Sequence, residues 1–178
     1  METRNRSVTL AGSTLKHRCH ACAFFHSREE EYRLLLPFVR EGFEQQDKIF
    51  QIVDRRHRDE RLRRLGALDI DVAAAEQSGQ IEVRPWEDAY LRGGRFDQHA
   101  MLELVEGVLG EDREEFGLTR FWANMEWSLE DFPGTDDIVE YEARLNDVLS
   151  RFDDVVVCTY DLNRFSATVV MDILRTHP

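Results

Sequence analysis

A chain of 178 residues, 42% hydrophobic and 33% charged, has the length of one average domain and enough apolar content to build a core without disulfide or metal staples. Its 35 acidic against 23 basic side chains give a net charge of −12, which opposes non-specific binding to nucleic acid, an affinity driven by neutralising phosphates. No apolar run reaches the roughly 20 residues of a membrane span. The polar stretch from Met1 to Lys16 lacks the apolar centre of a signal peptide, and three cysteines fit a reducing compartment, so a cytoplasmic location is expected.

In chain order, residues 1–15 read as a flexible leader and 16–178 as one domain. His17–Phe25 is a first short strand. Ser27 and Glu30 then form a capping box at the start of a helix whose stripe runs through Leu35, Phe38, Val39 and Phe43, with Pro37 expected to kink it. Lys48–Asp54 is a second strand, followed by a charged helix over 56–66 and another over about 69–78. Gln80–Arg84 is a third strand and Phe96–Leu109 a helix. Thr119–Trp127 is a fourth strand and Asp136–Phe152 a helix. Val155–Tyr160 is the fifth and most apolar strand, and Ala167–Arg175 the closing helix. Charge is uneven: residues 1–66 hold 14 basic and 10 acidic side chains, the remainder 9 and 25.

Strands alternating with helices predict an α/β fold, a three-layer αβα domain with a five-stranded, mostly parallel sheet. Such sheets bind ligands beyond the carboxyl ends of their strands, at a switch in strand order. Those ends carry Phe25, His26, Ser27, Asp54, Trp86, Glu126, Trp127, Tyr160 and Asp161, with Tyr90 close behind.

Several chemistries can be weighed from residue types. A phosphate-binding P-loop needs a Gly-Lys pair, and the chain has none; the turn after the first strand is His26-Ser27-Arg28, without glycine. His17, Cys19, His20 and Cys22 suggest zinc, but alternation in a strand puts His17 and Cys19 on one face and His20 and Cys22 on the other, so the four cannot converge. Core packing is the favoured reading for them, and no metal or cofactor is expected. Glu126, flanked by Met125 and Trp127, admits three roles: structural pairing with Arg84 or Arg120, ligand recognition, or acid–base catalysis. No Gly-x-Ser-x-Gly elbow exists, and Cys158 sits in the most apolar strand. The run from Arg55 to Arg64 holds six arginines, but Asp59 and Glu60 interrupt it, and a solvated helix face with pairs three and four residues apart is expected. The aromatic set Trp86, Tyr90, Phe96, Trp122, Trp127 and Tyr160 fits equally a closed core or apolar pocket walls.

These pieces, in order, resemble the MEDS domain, the methanogen/methylotroph sensory domain named from the DcmR-type regulator. The resemblance rests on His17-x-Cys19 with Phe24-Phe25 and Ser27-x-Glu29-Glu30, Leu36-Pro37-Phe38 with Glu41-Gly42, and Asp69-Ile70-Asp71-Val72. It continues through Glu87-x-x-Tyr90-Leu91 with Gly94-x-Phe96-Asp97, Arg120, Met125-Glu126-Trp127, Glu140-Tyr141-Glu142 with Leu145-Asn146, Cys158-x-Tyr160-Asp161, and His177-Pro178. It implies a degenerate RecA/KaiC-like core with strand order 5-1-4-3-2, and a role in sensing small molecules, hydrocarbon derivatives among them. The chain is expected to depart from family members that carry a DNA-binding or kinase domain, because 178 residues leave no room for one, and Cys22 stands where a less reactive residue is expected.

The expectation is therefore a stand-alone, non-enzymatic sensory domain that binds a small organic ligand and signals through a separate partner protein, without contacting nucleic acid or membrane. Phe25, Trp86, Tyr90 and Trp127 would form apolar walls. His26, Ser27, Asp54, Glu126 and Tyr160 would cap or orient the ligand, and loops 86–96 and 128–136 would respond to it. The alternatives are a protein–protein adaptor with a filled pocket, and an acid–base enzyme using Glu126 and His26.

Overall fold

The computed structural model describes residues 7–15, 19–110 and 115–177. The segment read as part of a flexible leader contains a hairpin: β1 (Val8–Leu10) and β2 (Ser13–Leu15) pair antiparallel. Val8 is buried, which gives the hairpin an apolar foot. His17 lies outside the described residues.

The main sheet contains β3 (Cys19–Phe25), β4 (Lys48–Val53), β5 (Ile81–Pro85), β6 (Thr119–Asn124) and β7 (Val155–Asp161), and every neighbouring pair is parallel. Helices α1 (Arg28–Glu44), α2 (Arg55–Gly66) and α3 (Val72–Gln77) cover one face, through Tyr32, Leu35, Val39, Leu65 and Ala75 against Ile49, Trp122 and Val157. Helices α4 (Gln98–Gly110), α5 (Ile138–Leu149) and α6 (Ala167–Thr176) cover the other, through Met101, Val105, Tyr141, Leu145 and Ile173 against Phe50, Phe121 and Cys158. Successive strand residues feed opposite cores, as the pleat requires. Among the described residues no helix is long and apolar enough to cross a membrane.

The strand order corrects the expected 5-1-4-3-2. Counted along the chain, the five strands lie in the order 1-5-4-2-3, that is β3-β7-β6-β4-β5. Burial explains it. A strand flanked on both sides and covered on both faces reads as a continuous apolar run. The expected order put the two such runs, KIFQIV and VVVCTY, at the edges; in the structure both are interior, and the half-exposed β3 and β5 take the edges.

Local signals position the ends. Ser27 Oγ accepts from the Glu30 amide at 3.2 Å, and Glu30 Oε2 accepts from the His26 amide at 2.9 Å, closing the expected capping box one residue early on its return leg. Helix α1 continues through Pro37. The fourth strand ends at Asn124 rather than Trp127, because Met125 leaves the extended region at φ −95°, ψ 3° and Glu126–Leu129 forms a 3₁₀ turn.

The amino end of the sheet is bolted by Arg120, which is 1% exposed. Its guanidinium donates to Asp47 Oδ2 at 2.9 Å, Glu41 Oε2 at 2.6 Å and the Phe38 carbonyl at 2.8 Å. Glu41 Oε2 also accepts from the Thr9 amide at 2.9 Å, which fastens the hairpin to α1. Gly42 makes room for this: a Cβ there would lie 2.4 Å from Arg120 Cδ.

Candidate functional site

β3 and β7 stay paired to their carboxyl ends, through Phe25 and Asp161, and the chain then leaves on opposite faces, into α1 from β3 and into α6 from β7; a recess forms there. It is lined by Phe25, Ser27, Arg28, Glu31, Asn124, Glu126, Thr159, Tyr160 and Asp161. Its internal volume is about 20 Å³, room for a single water. Glu31 Oε1 accepts from Thr159 Oγ1 at 2.7 Å and Trp122 Nε1 at 2.9 Å. Behind it the buried Arg61 lies over the Trp122 ring at 3.4 Å, with Nη1 donating to Gln51 Oε1 at 2.9 Å. Glu126 is paired to Arg164, whose side chain is 40% exposed, rather than to Arg84 or Arg120.

Of the expected site residues, Phe25, Ser27, Glu126 and Tyr160 meet at this recess. The others do not line it. His26 is on the exposed turn before α1. Asp54 caps α2, accepting from the Arg56 amide at 2.8 Å and its Nη2 at 2.5 Å. Burial alone raises the Asp54 carboxyl, but these bonds outweigh it and hold the group below its ordinary value. Trp86, Tyr90 and Trp127 belong to the core, each at most 4% exposed, so the expected apolar walls are packing. Tyr90 stacks on Trp127 at 4.6 Å, and Phe96 and Tyr141 close around them. The two loops expected to respond to a ligand are joined there: the Phe96 amide donates to the Pro133 carbonyl at 2.9 Å, and a Cβ on Gly134, at φ +88°, would lie 2.4 Å from the Phe96 oxygen.

Residue-type reasoning missed Arg28, Glu31, Asn124 and Thr159 as site residues, and placed Asp161 at a strand end without assigning it to the site. Asn124 and Thr159 are paired across β6 and β7, and Glu31 is one residue past the capping box; knowing the strand order would have brought them together. The basic run is absorbed by internal partners. Arg58 reaches Glu76 at 2.8 Å, Arg64 reaches Glu29 at 2.6 Å and Glu60 at 3.4 Å, and Arg55 reaches Glu87 at 3.3 Å.

A second polar cluster lies on the other face. His20 and Cys22, alternate residues of edge strand β3, meet Glu142 of α5 and His177 after α6. His20 Nε2 is 3.2 Å from Glu142 Oε2, and Cys22 Sγ is 3.1 Å from His177 Nε2. Burial lowers the His20 imidazole, yet the Glu142 hydrogen bond and charge leave it raised. Glu142, which burial alone would raise, is lowered by His20 and by Tyr160, whose hydroxyl donates to Glu142 Oε1 at 2.6 Å. Burial, reinforced by the Glu142 charge, pushes the Cys22 thiol far up.

The parallel sheet, helices on both faces and recess at the strand ends define a three-layer αβα domain of the α/β class. The fold matches flagellar accessory protein FlaH from Methanocaldococcus jannaschii with a TM-score of 0.63 at 12% identity, covering 96% of this chain and 76% of that one. It matches KaiC-like protein PH0186 from Pyrococcus horikoshii OT3 with a TM-score of 0.59 at 16% identity, covering 80% and 62%. Residues 19–178 match the family described as MEthanogen/methylotroph, DcmR Sensory domain, and the chain belongs to this MEDS family. It is 26% identical over 169 residues to the transcriptional repressor DcmR of Methylorubrum extorquens (strain DSM 6343 / CIP 106787 / DM4); the match covers 94% of this chain but only 61% of the repressor. Family membership marks the chain as a sensory domain.

Proposed function

We propose that the domain senses a small organic ligand at the recess between β3 and β7 and passes the signal to a separate protein. The observation that carries this reading is the placement of buried hydrogen-bonding side chains, Glu31, Asn124, Glu126 and Thr159, around a space at the strand-order switch of an α/β sheet. Glu126, once Arg164 moves off it, and Asp161 offer acceptor oxygens to a ligand that donates hydrogen bonds, such as a short alcohol or amine. Entry requires the exposed Arg164 to swing off Glu126. The signal would travel by differential affinity for the two arrangements of this rim.

The reading is non-hydrolytic. The first turn of α1 carries Glu29, Glu30 and Glu31, like charges where a phosphate would need free amides; Ser27 already occupies the Glu30 amide, and the Glu30 carboxylate occupies the His26 amide just before the cap. His26, the imagined catalytic partner of Glu126, is exposed, while Glu126 is held by Arg164.

The burial of Trp86, Tyr90 and Trp127 favours a second reading, an adaptor whose ancestral pocket is filled and which docks a partner without ligand. Thermal-shift screening with short alcohols, amines and carboxylates separates the two. A ligand at about 100 times its Kd stabilises by roughly 2.7 kcal/mol, which raises Tm by about 5–10 °C in a chain of this size. Loss of that shift in Glu126→Gln supports the recess; no shift with any compound in the screen supports the adaptor.

A further inference from the structure

We propose that His20, Cys22, Glu142 and His177 form a binding site for a divalent transition-metal ion of the zinc class, on the sheet face opposite α1. Their ligand atoms all lie within 4.8 Å of one another. The separations are 3.1 Å for Cys22 Sγ to His177 Nε2, 3.2 Å for His20 Nε2 to Glu142 Oε2, and 3.8 Å from Glu142 Oε2 to both Cys22 Sγ and His177 Nε2. Zinc bonds of about 2.0–2.3 Å in a tetrahedron require donor-to-donor edges of about 3.3–3.7 Å. Four of the six separations lie within a few tenths of an ångström of those edges, and the widest, at up to 4.8 Å, has to close by about 1 Å.

The hydrogen bonds around the cluster orient both imidazoles for this purpose. His20 Nδ1 lies 3.0 Å from Asn146 Oδ1, and Asn146 Nδ2 donates to the Thr176 carbonyl at 2.8 Å, so Asn146 Oδ1 can only accept and His20 Nδ1 must carry its proton. His177 Nδ1 lies 3.0 Å from the Ile173 carbonyl and is a donor for the same reason. Each ring therefore turns Nε2 to the centre with its outer N–H fixed by an oxygen. Tyr160 fixes the other oxygen of Glu142. This is the outer arrangement that sets tautomer and ring angle at metal sites.

Two imidazoles, one thiolate and one carboxylate make a borderline-soft set, suited to zinc and unsuited to calcium or magnesium. Four protein donors close the coordination sphere, which marks a structural rather than a catalytic ion. The placement gives it work. Ile173 is the one residue of α6 buried outright, while Met171 and Leu174 are 49% and 47% exposed, so the helix is weakly anchored by packing alone. An ion held by His177 would tie its end to β3 and α5, and its binding energy would become docking energy for α6.

Cobalt spectroscopy on the whole chain tests this. Protein stripped with EDTA is titrated with CoCl₂ and then ZnCl₂. The expected result is one equivalent of cobalt with thiolate-to-cobalt charge-transfer and intense four-coordinate visible bands, displaced by zinc, and a higher Tm with zinc than without. Cys22→Ser loses the charge-transfer band, whereas Cys158→Ser, whose thiol lies 3.4 Å from His20 Nε2, keeps it. Asn146→Ala weakens zinc by about 10–100-fold. The proposal is overturned if the stripped wild-type protein shows no such bands, or if Cys22→Ser retains them; the wild-type spectrum decides alone should the variant not fold.

Discussion

The two ends of the sheet bury charge in different ways. At the amino end Arg120 is bonded to Asp47, Glu41 and a carbonyl, and Gly42 packs so closely that a single methyl has no room. At the carboxyl end Glu31, Asn124, Glu126 and Thr159 surround space for a water, and the outermost ion pair is carried by an arginine whose side chain is half-exposed. Buried polarity thus serves opposite purposes on one scaffold. At the amino end donors and acceptors are matched and close-packed; at the carboxyl end they border a gap behind the half-exposed Arg164, the space that the proposed reading gives to a ligand. The contrast also explains why the amino end is the better candidate for rigidity and the carboxyl end for response.

Mutations sharpen or break this contrast. Arg120→Ala strands Asp47 without its guanidinium and is expected to cost about 3–5 kcal/mol in urea unfolding; a loss under about 1 kcal/mol would make the two ends equivalent. Trp127→Ala, just past the end of β6, is expected to cost a similar 3–5 kcal/mol because its ring is core rather than pocket wall, and a near-neutral result would restore a hollow there. Gly42→Ala should cost about 1–3 kcal/mol by overpacking against Arg120. At the other end Glu126→Gln, which weakens a pair with a half-exposed arginine, should change stability by no more than about 1 kcal/mol.

The smallest effect is on acid stability. Burial raises the Glu41 carboxyl, but the Thr9 amide and Arg120 more than reverse this, so the folded-state value lies below the ordinary 4.5. The unfolded chain then binds the proton more readily, and the contribution of Glu41 is full above pH 4.5 and fades as pH falls through the lower, folded value. Glu41→Gln should flatten that part of the pH–stability curve; a curve unchanged in slope would show that Arg120 does not depend on it.

Much of the architecture was legible because apolar periodicity is local. All five sheet strands, the capping box at Ser27 and Glu30, and the placement of His20 and Cys22 on one strand face follow from spacing alone. Strand order is not local, and the expected order failed where the burial of KIFQIV and VVVCTY should have overruled it. The recess was legible at Phe25, Ser27, Glu126 and Tyr160, which sit at strand ends or the turns beyond them. It was not legible at Glu31, which reaches the rim only because α1 packs over Trp122. Glu142 and His177 were visible as parts of a family pattern, but nothing in their spacing brings residues 120 positions away to the same point. That takes β3 at the edge and α5 and α6 on one face.

The acidic opening of α1 has one more consequence. Its Glu29, Glu30 and Glu31 set negative charge against a triphosphate approaching the amides of that helix end. On the reading proposed here, the message taken up at the rim is therefore insulated from the ambient ATP supply, and the domain reports the chemistry of its surroundings independently of their energy charge.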